Sequence, residues 1–316
     1  MTDYHAVPRP LLGIAFKVIS TMAFTVMATL IKLLSDRYPI GELAFFRSFF
    51  ALIPVFVWVI GRGRFSGVFA TSNIRGHFFR SLAGVSAMFC GFTALSLLPI
   101  ADAIAIGYAS PLIVVVLAVF LLGEKVNMYR WSAVGVGLFG VLVILSSYFN
   151  PQAREFGGTM MVGAALAIGG AFLGALAATQ VRRLTRFERA ATIVIYFSLF
   201  SSLAALLTLP FGWVVPDAAD LGLLVAAGIC GGVGQVLLTQ GFRFGDASMI
   251  APFEYTSMIW ALIVSLVVFG TEPGMNVLVG ASIVIAAGLF VIYREHRLGI
   301  ERNLSKQAQT PTAPLS

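Results

Sequence analysis

The sequence predicts an all-α membrane protein of ten transmembrane helices, arranged as two inverted five-helix repeats. Three observations carry that prediction. Of the 316 residues, 59% are hydrophobic and only 11% charged, whereas a soluble domain carries about a quarter charged residues. So few charges cannot cover an aqueous surface of this size, and the solvent around most of the chain must be lipid. The apolar residues also gather into runs of about twenty, the length a helix needs to cross the hydrocarbon core. Short motifs then recur between the two halves at a constant offset.

The runs place spans at 11–34, 40–60, 76–98, 101–122, 130–149, 158–180, 189–210, 219–242, 247–270 and 275–293. The first run is too long for the core of a signal peptide. It carries Lys17 and Lys32, and no small-residue cleavage site follows, so it reads as the first span. The loops are short and leave no inserted soluble domain. The one polar stretch of length is the tail after Tyr293, whose end from Lys306 to Ser316 is rich in Gln, Thr, Pro and Ser and is expected to be disordered.

Orientation follows from the basic residues. With the N-terminus inside, the cytoplasmic segments hold fifteen Lys and Arg, from Arg9 through the Arg182–Arg189 cluster to Lys306, while the opposite loops hold only Arg37 and Arg154. The positive-inside rule then puts both termini in the cytoplasm, across an inner membrane, with an even number of spans. It also accounts for the net charge of +7 without nucleic acid, since no folded soluble face is left to present a basic patch. Cys90 and Cys230 lie in separate apolar runs with no partner at ligand spacing. His5, His77 and His296 sit at span edges or in the tail. No disulfide framework, metal site or cofactor is expected.

Tyr108 and Tyr255, Ser110 and Ser257, and Gly123 and Gly270 match at one offset, 147 residues; Asp102 and Asp246 match at 144. Five spans per half is odd, so the second copy is upside down, a common plan of secondary transporters. Gly170-xxx-Gly174, Gly228-xxx-Gly232 and the trio Gly135, Gly137 and Gly140 are expected to let helices approach closely, where lipid supplies no hydrophobic drive to pack.

From Gly91 to Ile144 the chain carries Ala94-Leu95 followed by Pro99, then Ser110-Pro111, Gly123-Glu124 and a glycine-rich helix. Residues 245–273 repeat the style, with Gly270-Thr271-Glu272 replacing Gly-Glu, and Glu42 and Arg47 stand in GELAFFRSFFA. In these features the chain resembles the EamA family of the drug/metabolite transporter superfamily. The resemblance covers nearly the whole length. It implies a first repeat over residues 1–149, a second over 150–293 and a tail over 294–316. It also implies a central cavity lined mainly by helices 1, 3, 4, 6, 8 and 9, alternating access, and small organic metabolites as cargo.

Charged groups at membrane depth are functional hypotheses by default. Glu254, in Pro252-Phe253-Glu254-Tyr255, is expected about two turns into helix 9, placed to bind a proton in one state and release it in another, or to pair with a cationic group of the solute. A permanent pair inside the bundle is the competing reading. Arg47, two turns inside helix 2, suits a carboxylate or phosphate or a structural ion pair, and Glu42 lies nearer the external face. Tyr108, Ser110 and Pro111 are expected to face Tyr255, Ser257 and Trp260, offering stacking area with polar handles. Gln235 is a hydrogen-bonding group for ligand or neighbouring helix. Phe45, Phe46, Phe49 and Phe50 read as lipid-facing or packing surface.

The expected function is secondary active transport of a small organic metabolite across the inner membrane, with proton-coupled export as one form. The alternatives are an uptake permease or facilitator for a metabolite or vitamin, and a flippase for a lipid-linked solute. No clustered nucleophile, base or ligand set supports an enzyme, and no P-loop supports a primary pump. The partners are then the solute, protons and the lipid bilayer, for a monomer or homodimer.

Overall fold

The computed structural model describes residues 10–61, 67–122, 128–147, 157–184, 188–244 and 251–309, and among them only helices and their connections occur. The helices are α1 (Pro10–Leu34), α2 (Ile40–Phe50), α3 (Leu52–Ile60), α4 (Ile74–Leu97), α5 (Ile100–Gly107), α6 (Ala109–Leu122), α7 (Met128–Ser146), α8 (Gly157–Leu184), α9 (Ala190–Leu206), α10 (Ala218–Phe244), α11 (Thr256–Val267) and α12 (Met275–Gln309). Among the described residues six segments are long and apolar enough to cross a membrane: residues 11–34, 40–60, 74–97, 100–121, 158–181 and 218–238. Four shorter apolar helices lie at 131–146, 191–206, 253–267 and 275–290. The molecule is thus a helical, multi-pass membrane protein.

Two expected spans are broken, each for the same reason. Proline lacks an N–H, and its ring clashes with the carbonyl four residues earlier. Pro54 therefore interrupts the second span, which parts at Ala51 between α2 and α3. Pro111 does the same to the fourth, which parts at Tyr108 between α5 and α6. The segment containing Pro252 forms a 3-10 turn over Ala251–Tyr255 before α11 begins. Glu254 thus sits in that turn at the head of a helix rather than two turns inside one. At the far end α12 continues through Gln309, past the expected end at 293. Residues 294–309 are rich in strong helix formers, and Arg297 lies over the Tyr293 ring one turn earlier. Gly123, Glu124 and Asp246 lie outside the described residues.

Packing centres on three apolar clusters. One joins α5, α6, α7, α8, α11 and α12 around Ile106, Ile144 and Val284. A second joins α1, α2, α4 and α10 around Ile31, Leu43 and Leu224. A third joins α3 and α9 around Val55 and Ile195. Large apolar side chains such as Val57, Phe79, Phe139 and Leu203 face outward, as a lipid-solvated bundle requires. Of the phenylalanines, Phe49 is exposed while Phe45, Phe46 and Phe50 are half-buried; Phe45 stacks on Phe49 and Phe46 on Phe50, and the two stacks meet edge to face.

At the face where α1 begins, Glu188 fastens the entry to α4. Its carboxylate accepts hydrogen bonds from the Thr71 hydroxyl (2.7 Å) and the Ser72 N–H (3.0 Å). Asn73 then caps α4 by accepting from the Gly76 N–H. Burial alone would raise the Glu188 pKa, but the bonds from Thr71 and Ser72, with His77 nearby, outweigh it and hold the group below the usual glutamate range. A depressed folded-state pKa contributes stability that is complete above the unfolded value, about 4.3, and is lost as pH falls through the folded value. Thermal unfolding followed downward from pH 7 should therefore show an acid-side decline below about pH 4.3 that Glu188→Gln flattens. An unchanged decline in the variant would assign the acid limb to other carboxylates.

Candidate functional site

The site forms where α1 meets the 3-10 turn and α11. Lys17, about two turns into α1, makes an ion pair with Glu254 of the turn. The lysine is 1% exposed, and the Glu254 side chain keeps 44% of its surface open. A buried ammonium is tolerated only when paired, so Glu254 supplies what Lys17 needs at this depth.

Hydroxyl groups stitch the surrounding backbone. Thr21, one turn beyond Lys17, shares a 2.9 Å hydrogen bond with Thr256 and accepts one from the Trp260 indole N–H at 3.3 Å. Thr256 donates to the Phe253 carbonyl and Ser257 to the Glu254 carbonyl, which satisfies acceptors at the junction of turn and helix. Ser20 donates to the Gly234 carbonyl of α10 at 2.9 Å and ties α1 to that helix.

The repeat-related residues converge here. The Tyr108 hydroxyl lies 2.7 Å from the Ser257 hydroxyl, and the Tyr108 and Tyr255 rings meet edge to face with centroids 5.3 Å apart. Both tyrosines stand at helix breaks, so the proline-induced joints aim them at each other. The Tyr255 hydroxyl rests against Gly288 of α12, where a Cβ would fall 1.8 Å from it. Ser110 instead faces α8, its hydroxyl 3.6 Å from where a Cβ on Gly174 would stand. Gln235 is partly buried on α10 and already has a partner.

The other candidates lie elsewhere. Glu42 is buried and accepts from the Val214 N–H at 3.0 Å. It anchors the connection between α9 and α10, where Trp213 in turn meets the Phe45 ring, and does not pair with Arg47. Arg47 is buried with its guanidinium 5.6 Å from the Phe197 ring of α9. Among the described residues no three His, Cys, Asp or Glu side chains gather to hold a metal ion.

Lys17 was the residue that motif reasoning passed over. Its signal was available, because a lysine inside an apolar run is as conspicuous as a glutamate there. Lys32, in the same run, has a different task. It donates to the Leu95 and Leu98 carbonyls at 2.8 and 2.6 Å, a cation closing the C-terminus of α4. Charge at depth marked both lysines, and only the partners separate their roles.

The chain matches the model of the EamA-like transporter family over residues 11–146 and 161–294. It is 29% identical over 290 residues to an S-adenosylmethionine uptake transporter of Rickettsia bellii, covering 90% of this chain and 95% of that protein. It is 26% identical over 250 residues to a pseudopaline exporter of Pseudomonas aeruginosa, covering 78% of this chain and 84% of that one. One chain of known crystal structure has the same fold, with a TM-score of 0.66 at 19% identity over 92% of this chain and 99% of that chain. With two matches that together span most of its length, the chain belongs to the EamA family of the drug/metabolite transporter superfamily and is a membrane transporter.

Proposed function

We propose that this protein is a secondary active transporter that carries a small zwitterionic metabolite across the inner membrane by alternating access. In this reading ten helices cross the membrane as two inverted five-helix repeats, with both termini cytoplasmic. The observation that carries the proposal is the Lys17–Glu254 pair, buried on its lysine side and open on its glutamate side.

The pair satisfies itself when no solute is present. A solute bearing an ammonium and a carboxylate can exchange one ion pair for two, its ammonium on Glu254 and its carboxylate on Lys17. No buried charge is then left alone at any stage, which keeps the desolvation cost low. Opening the pair also frees α1 from the turn that precedes α11, so occupancy is coupled to the relative position of two helices. Tyr108, Tyr255 and Trp260 offer ring faces for a flat or cationic part of the solute. S-adenosylmethionine, with its amino-acid end, sulfonium and purine, has that chemistry and is the relative's named cargo, so it is the first solute to try.

A second reading, proton-coupled export, rests on the exposed part of Glu254, which a proton can reach when the solute leaves. Purified protein in liposomes with an entrapped pH-sensitive dye tests both. Labelled S-adenosylmethionine, then amino acids, nucleosides and vitamins, are supplied to wild type and to Glu254→Gln. Solute movement lost in the variant supports the binding role, and a matched proton flux adds the coupling. Solute movement without proton flux leaves a facilitator. Solute movement unchanged in Glu254→Gln would sink the pair as the centre of transport.

A further inference from the structure

A second charged constellation stands apart from the Lys17–Glu254 pair, between α2, α4 and α9. Arg47 of α2 and Arg80 of α4 are 6% and 8% exposed. Both lie over the ring of Phe197 on α9, with guanidinium carbons 5.6 and 3.5 Å from its centroid. An arginine cannot shed its proton to escape burial, and buried charges are ordinarily paired. Yet neither arginine makes a hydrogen bond or ion pair among the described residues. Arg47 Nε and Arg80 Nε and Nη1 are sealed from solvent without an acceptor.

The buried carboxylates are committed elsewhere. Glu42 holds the Val214 N–H, Asp220 holds Arg37 and Tyr38, and Asp102 interacts with Lys32. The ring of Phe197 offers each cation a negative face but accepts none of their five N–H donors apiece. The hydroxyls of Ser81 on α4 and of Thr192 and Ser201 on α9 are also buried without partners. The two guanidinium groups thus share one ring face, on helices that also carry buried hydroxyls and the buried His77 ring without hydrogen-bond partners.

We propose that Arg47 and Arg80, braced on Phe197, form a binding site for one oxyanion, a carboxylate or phosphate. The planar forks match the geometry of such a group. The oxyanion belongs either to an organic solute or to a free inorganic ion; its chemistry is the same in both cases. The site stands without the reading of Lys17–Glu254, since it shares no residue with that pair.

Radiolabelled inorganic phosphate and acetate, equilibrated with the purified full-length protein in detergent, test it directly. Wild type binds, and Arg47→Gln and Arg80→Gln each weaken binding at least about tenfold. Arg80→Lys keeps the charge without the fork and weakens it less. Gly135→Ala, at an open position on α7 away from both charged sites, binds as wild type, which separates this result from a general effect of substitution on the fold. Because an unpaired buried charge is removed, Arg80→Gln in anion-poor buffer also unfolds at a higher temperature than wild type, so the variant is readable even where binding is gone. Adenosine monophosphate compared with adenosine tells the sources apart. Displacement of phosphate by the nucleotide alone identifies an oxyanion carried on an organic body, and displacement by sulfate but not the nucleotide identifies a free inorganic anion. Binding of phosphate and acetate no stronger than in the Arg47→Gln, Arg80→Gln double variant overturns the proposal.

Discussion

Lys17→Met and Glu254→Gln should each lower solute transport roughly 10- to 100-fold, the equivalent of one charge-assisted hydrogen bond, about 1.5–3 kcal/mol. Each variant removes one half of a contact that the solute is proposed to share. Truncating one partner of a fully buried ion pair costs about 3–5 kcal/mol of stability. Lys17→Met leaves behind a Glu254 that is 44% exposed, where water screens the charge, so the fold should lose only about 1–3 kcal/mol; Glu254→Gln leaves the buried Lys17 ammonium and should cost more, toward about 3–5 kcal/mol. The two effects come apart in the double exchange Lys17→Glu with Glu254→Lys. A pair that is merely structural would recover both stability and transport when its charges trade places. A pair that orients a zwitterion against Tyr108, Tyr255 and Trp260 would recover stability alone, because the solute's charges then meet their own sign. Thermal unfolding and liposome uptake, measured on the same four proteins, distinguish these results.

Gly280→Ala should be among the most damaging single-methyl additions in the protein, lowering stability by about 3 kcal/mol. At Gly280 of α12 a Cβ would fall 2.5 Å from the Gly140 carbonyl oxygen of α7 and 3.0 Å from the Ile144 backbone nitrogen. Both are backbone atoms, which cannot rotate away, so the helices must separate. The mirror position is as tight, with a Cβ on Gly140 only 2.8 Å from the Gly280 carbonyl. Gly232→Ala should behave similarly, since its Cβ would meet the Ala51 carbonyl at 2.5 Å and the Pro54 ring at 2.4 Å. In lipid the close backbone approach is itself the source of association, so lost contact is not recovered by apolar burial. Gly135→Ala is the control: nothing lies within 4 Å of its Cβ position, and helix propensity favours alanine by up to about 1 kcal/mol. Unfolding temperatures in detergent check the contrast. Equal losses at Gly135 and Gly280 would refute the crossing as the cause.

The glycines show where sequence reading stops. Gly135, Gly137 and Gly140 looked alike as small residues on one apolar run. The structure puts Gly140 at a backbone crossing, gives Gly137 a Leu112 side chain as neighbour, and leaves Gly135 open. Likewise Gly228 and Gly232 are pressed against Phe50, Ala51 and Pro54, whereas Gly174 has only ordinary contact with Ser110. A GxxxG spacing states that two glycines share a helix face. Which face meets a neighbour depends on how the bundle closes.

By itself the sequence determined that the protein is helical and lives in lipid, because so low a charge content admits no aqueous surface. The breaks in the second and fourth spans were not among its expectations, although Pro54 and Pro111 cause them through local backbone geometry. It also marked Glu254, Arg47 and the paired tyrosines, because ionisable and repeated polar groups are conspicuous in an apolar background. Only the tertiary structure decided which of these groups meet. Lys17 and Glu254 lie 237 positions apart, Tyr108 and Ser257 lie 149 apart, and Arg47 finds Arg80 through Phe197 rather than Glu42 through its own helix. The physical reason is that an apolar helix has many nearly equivalent faces toward lipid and toward its neighbours. Rotation about the helix axis is settled by glycine-scale fit and by partners for buried charge, and both are properties of two helices at once.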